Sequence, residues 1–215
     1  MMGRWKAIIG ASALAGAAFG ASAGGENFDG TAPGALSSGW SASAAADGQC
    51  DWKITAEPNA PSGPNVLTRR GEAPFSWCVK TNLCFKNGWI EARFKPMTGF
   101  ADGGAGLIWR FQNASNYYIV KANALNDTIA VGKMVNGKLV EYESAPMRVA
   151  PRRWHTLRIE FEGPHFTAAF ENQFALAWDD DTFTNAGCAG VWTKADTVAA
   201  FDDFHWEVWP DRVKD

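Results

Sequence analysis

The chain has 215 residues, of which 47% are hydrophobic and 11 are tryptophan, and its formal charge is −3. A weakly acidic balance disfavours nucleic acid and anionic membrane surfaces as partners, since both call for a basic stripe. The length suits one domain with a sizeable core.

The first residues read as a secretory signal. Arg4 and Lys6 form a positive start, residues 7–20 are a short apolar run, and Ala21-Ser22-Ala23 is a small-residue cleavage motif. The run is too short and too rich in Ala and Gly to span a bilayer, and nothing after residue 23 approaches that length. The residue directly after the cleavage motif is Gly24 and not cysteine, which argues against a lipid anchor at the new N-terminus. Cleavage after Ala23 leaves 192 residues and, without Arg4 and Lys6, a formal charge of −5. The expected product is secreted or periplasmic, with a signal peptide over 1–23 and a single domain over 24–215.

Residues 27–49 are rich in Gly, Ala and Ser, and are expected to run over the surface, anchored by Phe28 and Trp40. From Trp52 onward, short strand-like runs alternate with turn clusters. Strands are predicted at 52–56, 65–68, 89–95, 105–112, 117–122, 128–134, 138–144, 155–161, 165–170, 174–178, 190–193 and 201–208. Turn signals separate them, among them Pro61-Ser62-Gly63-Pro64, Asn87-Gly88, Asn136-Gly137 and Gly163-Pro164. Asn136-Gly137 is a strong two-residue hairpin signal, because both positions tolerate positive φ. No run after the leader carries a 3.6-residue period. The expected fold is all-β: a two-sheet antiparallel sandwich, or jelly roll.

Four cysteines in an exported chain predict disulfides. The close spacing of Cys78 and Cys84 predicts a local bridge across WCVKTNLCF, leaving Cys50 with Cys188, one of three connectivities that the count allows. A zinc site is disfavoured, because no C-x-x-C occurs and only three His are present.

Two segments carry the functional reading: GLIWRFQNASNYYIVKANAL (106–125) and GVWTKADTVAAFDDFHWEVW (190–209). Strict alternation sends Leu107, Trp109, Phe111, Tyr118, Val120, Ala122, Val191 and Thr193 inward. The outward set is then Arg110, Tyr117, Lys121, Asn123, Trp192 and Lys194. A one-residue slip or a bulge would exchange the two faces. Such a set suits a carbohydrate: C–H faces of sugars lie on Trp and Tyr rings, and hydroxyls pair with Arg and Asn. Its cations would favour uronate or sulfated sugars. Most other tryptophans, including Trp89, Trp154 and Trp206, are expected in the core.

The segments WIEARFKP (89–96), GLIWRFQNASNYYIVKANAL, RWHTLRIEFEG (153–163) and GVWTKADTVAAFDDF resemble the concanavalin A-like lectin/glucanase superfamily. More narrowly, they resemble laminin-G-like jelly rolls grouped with 3-keto-disaccharide hydrolases and family 16 glycoside hydrolases. The resemblance covers residues 26–209. It implies a structural calcium ion between the N-terminal and last strands, with Asp202 and Asp203 as matching positions and Glu26 or Asp29 from the N-terminal side. The family 16 signature E-x-D-x-x-E is absent, so catalysis is not assigned.

Other same-face carboxylates are Glu141–Glu143, Glu160–Glu162 and the row Asp203–His205–Glu207, and each reads first as a solvent-facing strand surface. The leading expectation is a carbohydrate-binding domain. A glycoside hydrolase and a laminin-G-like protein-interaction domain are the alternatives.

Overall fold

The computed structural model describes residues 22–46, 48–99 and 101–211. The leader over 1–21 lies outside the described residues. No helix occurs among them, and none is therefore long and apolar enough to cross a membrane.

Fifteen strands follow one another: β1 Ser22–Glu26, β2 Trp40–Ala44, β3 Asp51–Ala56, β4 Asn65–Arg70, β5 Ala73–Phe85, β6 Asn87–Thr98, β7 Gly104–Asn113 and β8 Asn116–Asn123. The second half holds β9 Thr128–Val135, β10 Lys138–Pro146, β11 His155–Glu162, β12 His165–Phe170, β13 Gln173–Asp179, β14 Gly187–Ala195 and β15 Val198–Trp209. They form two antiparallel sheets. The eight-stranded sheet runs β13-β12-β11-β6-β15-β4-β3, with β1 alongside β15, and the seven-stranded sheet runs β10-β9-β8-β7-β14-β5-β2. Every predicted strand has a counterpart. The hairpin at Asn136-Gly137 is also present, with Asn136 at φ 50° and Gly137 at φ 77°.

Three strands were not predicted. β1 pairs Ser22–Glu26 with Val208–Phe204 of β15. β2 lies in the segment expected to cross the surface, where Trp40 packs its ring on Phe204 at 5.1 Å. β5 runs straight through the stretch read as a cysteine-closed turn.

That last difference overturns the predicted disulfides. Six residues of extended chain put Cys78 and Cys84 about 20 Å apart, beyond any bridge. The bridge is Cys84–Cys188, between residues directly opposite each other on β5 and β14. Cys50 and Cys78 are free thiols, Cys78 fully buried. A register shift between Cys188 and Ala189 lets β5 change face, so Cys78 points into the core upstream while Leu83 and Phe85 do so downstream.

The core lies between the sheets. Trp109 is its hub, with ring contacts to Tyr118, Phe161, Phe166 and Trp178 at 5.4–6.1 Å. Each fully buried large side chain contributes roughly 1.5–3 kcal/mol. Trp89 departs from expectation: it faces outward, with Arg158 stacked 3.9 Å above its ring and its indole on Glu207. Trp154 and Trp206 are only partly buried.

Candidate functional site

A second apolar cluster sits outside the sandwich core, on the far face of the seven-stranded sheet. Its buried members are Trp77, Val79, Ile108, Tyr117, Ile119, Met134 and Trp192, with Phe75, Phe111 and Leu139 packed on them and partly exposed. Period-two alternation produces this arrangement. Their chain neighbours Cys78, Leu107, Tyr118, Val120 and Val191 belong to the core between the sheets.

Register joins the strands into a row. Trp77 lies opposite Trp192, Trp192 opposite Gly106, Gly106 opposite Lys121, and Lys121 opposite Ala130. Gly106 has no substitute here, because a Cβ would lie 2.0 Å from the Val120 carbonyl oxygen. Glycine and alanine thus keep the floor between Trp192 and the β8–β9 side low. Phe75 stacks on Trp192 at 5.9 Å, while Trp77, Phe111 and Tyr117 contact one another at 5.3–6.2 Å.

A polar border flanks the aromatic rings. Asp102 Oδ1 accepts from the Gly104 N–H at 2.7 Å and from Asn123 Nδ2 at 3.0 Å, and its Oδ2 holds Lys194 Nζ at 2.9 Å. Lys121 pairs with Glu141 on β10. Beyond Phe75 and Lys194, at the end of the sheet, an open hollow of about 530 Å³ is lined by small residues together with Glu72 and Asp196.

Five of the six predicted ligand residues therefore share one face: Tyr117, Lys121, Asn123, Trp192 and Lys194. Tyr117 and Trp192 are fully buried, and the Trp192 indole N–H faces the Tyr117 hydroxyl without closing a well-formed hydrogen bond. Burial pushes the Tyr117 hydroxyl well above the usual tyrosine range.

Arg110 is the exception. A bulge at Arg110, with φ 47° and a register break between Trp109 and Asn113, turns its side chain to the core side and brings Phe111 out instead. Its guanidinium donates to the carbonyls of Lys86 at 2.9 Å, Phe183 at 2.8 Å and Gly163 at 2.6 Å, over the rings of Phe161 and Phe166. Burial draws its pKa down from the ordinary arginine value. Arg110 is a structural clamp and not part of this face.

The sequence did not place Phe75, Trp77, Phe111 and Asp102 on this face, and offered Glu141 only as half of the Glu141–Glu143 carboxylate pair. Phe75, Trp77 and Val79 do carry the period-two signal, masked by the assignment of that stretch to a turn.

The residues expected to hold calcium do not fit the ion. Asp202 accepts from Ser62 N–H, Ser62 Oγ and Asp203 N–H, and Asp29 accepts from Asn65 N–H and Asn27 Nδ2. Lone pairs committed to N–H donors are not offered to a cation. Burial raises the Asp202 pKa, and the bonds from Ser62 and Asp203 only partly offset it. Asp203 lies 4.0 Å from His205 Nε2, and among the described residues no three His, Cys, Asp or Glu side chains converge as a metal site.

The other acidic rows are likewise engaged. Glu160 binds Arg158, and Glu207 accepts the indoles of Trp89 and Trp209.

Neither a family model nor a curated protein sequence matches the chain. Solved structures do. The carbohydrate binding module CBM66 from Bacillus subtilis aligns with a TM-score of 0.63 at 17% identity, covering 77% of this chain and 93% of its own. The Bacillus licheniformis beta-glucanase aligns at 0.62 and 9%, covering 87% and 98%. The cellulose induced protein Cip1 aligns at 0.62 and 10%, covering 85% and 95%. The fold is the concanavalin A-like jelly roll, as the sequence resemblance implied.

Proposed function

We propose that the protein is an exported carbohydrate-binding jelly roll that takes a glycan on the outer face of its seven-stranded sheet. One observation carries this reading: a cluster of Phe75, Trp77, Phe111, Tyr117 and Trp192 outside the sandwich core, bordered by Lys194, Asp102, Asn123, Lys121 and Glu141.

The most exposed part of that cluster does the first recognition. A sugar's C–H face stacks on the partly exposed Phe75 ring, which itself lies on Trp192. Its hydroxyls then reach Glu141 and Lys194, the more exposed members of the polar border.

The shared fold of a carbohydrate binding module, CBM66, and a beta-glucanase supports carbohydrate as the ligand class. Export is supported by the leader's three-part pattern and by the Cys84–Cys188 bridge. Binding is favoured over hydrolysis because both carboxylates on the face, Asp102 and Glu141, are taken up by lysines.

The test is calorimetric titration of soluble polysaccharides into the full chain, expressed with its leader and recovered from the exported fraction. Phe75→Ala and Trp192→Ala are expected to weaken binding about tenfold while retaining the wild-type circular dichroism spectrum. Unchanged affinity in both folded variants would overturn the assignment of the face.

A further inference from the structure

We infer that the glycan taken by this face is uncharged. The inference rests on the carbohydrate reading above and names the substrate class for the same site.

Sequence alone suggests the reverse, since Arg110, Lys121 and Lys194 together would attract uronates or sulfates. Each of these cations is already matched. Arg110 has left the face, its guanidinium on three main-chain carbonyls. Lys121 is bound to Glu141, whose side chain remains 46% exposed, so the carboxylate and not the ammonium is the more open partner. Lys194 Nζ holds Asp102 at 2.9 Å.

Asp102 cannot readily yield to a ligand carboxylate. Its other oxygen is fixed by the Gly104 N–H and by Asn123 Nδ2, and its own carbonyl accepts the Thr197 hydroxyl at 2.7 Å. An anionic sugar would have to compete for Lys194 against a carboxylate already held in place. It would also approach Glu141 on one side and, at the end of the sheet, the hollow lined by Glu72 and Asp196. Like charges repel.

What the face offers instead suits neutral hydroxyls. Glu141 can accept, and Lys194 can donate through hydrogens not directed at Asp102. These groups sit among rings that provide stacking without charge.

The experiment compares mixed-linkage β-glucan and levan with polygalacturonate and heparin, by affinity electrophoresis of the full chain at low and high salt. The expected result is retardation by a neutral polysaccharide, little changed by salt, and none by the polyanions. Salt-sensitive binding to polygalacturonate or heparin alone would overturn the inference and leave the carbohydrate face standing. Binding to none of the four would count against the carbohydrate reading itself. A second arm uses Glu141→Gln, which uncovers Lys121. Polygalacturonate should then retard the variant at low salt where it does not retard the wild type, and no such shift in a folded variant would overturn the charge argument.

Discussion

The Tyr118 hydroxyl donates a 2.6 Å hydrogen bond to Asp180 Oδ1, tying β8 of one sheet to the loop that follows β13 of the other. Around the same carboxylate, Lys133 from β9 and Tyr142 from β10 meet Oδ2 at 2.7 and 2.9 Å, and the Thr182 N–H meets Oδ1 at 2.8 Å. One side chain thus collects three consecutive strands of the seven-stranded sheet. Burial by itself would raise the Asp180 pKa, but the bonds from Lys133, Tyr118 and Thr182 outweigh it and hold the carboxyl well below the ordinary range.

Because the folded value is depressed, this stabilisation is present above the unfolded Asp pKa of about 4 and is lost as pH falls toward the folded value. Asp180→Asn should cost about 2–3 kcal/mol at neutral pH. The gap between wild type and variant should narrow in acid. Urea unfolding at neutral and acidic pH measures both quantities.

Arg110→Met should destabilise the protein by about 3 kcal/mol, since three loop carbonyls lose their shared donor in a buried setting. Glycan affinity per folded molecule should stay at the wild-type value, because the guanidinium faces away from the aromatic cluster. Thermal melts paired with titration separate the two effects. A loss of affinity in the folded variant would return Arg110 to the binding face.

The Cys84–Cys188 bridge spans a sequence separation of 104. Replacing both residues by Ser should lower stability by about 2–4 kcal/mol, read from denaturant midpoints. In the denatured, unreduced chain, a thiol reagent should count two cysteines, Cys50 and Cys78. In the folded chain Cys78 should not react, because burial, with Cys50 nearby, pushes its thiol far above the ordinary range. A count of zero in denaturant would reveal a second bridge.

Millimolar calcium, compared with a chelator, should move the melting temperature by less than about 1 °C. Asp202 and Asp29 already bind N–H and O–H donors of residues 62–65 and gain little from a cation. A shift of several degrees would show that those donors rearrange to admit one.

The strands from residue 87 onward were legible because alternation and turn residues agree there, and because sandwich cores reward regular period-two burial. The faces were harder to read. Arg110 and Phe111 trade sides through a bulge, and β5 changes face between Cys78 and Leu83 through another. Both offsets arise where strands pair with β14, a tertiary event that leaves no mark in composition. Alternation therefore placed Tyr117, Lys121, Asn123, Trp192 and Lys194 on their side and misplaced Arg110. β2 escaped notice for a different reason. Ser and Ala fill its positions after Trp40, so only pairing with β5 distinguishes it from a loop.

β1 begins at Ser22, inside the Ala21-Ser22-Ala23 motif. Cleavage after Ala23, as the leader pattern predicts, would remove Ser22 and Ala23 together with their pairing to Val208 and Glu207, and would leave Gly24, Gly25 and Glu26 opposite Trp206, His205 and Phe204. Processing would thereby edit the sheet itself. The unprocessed and processed chains differ in how much bare main chain the far end of β15 presents to a neighbouring molecule, while β6 covers its opposite side in both.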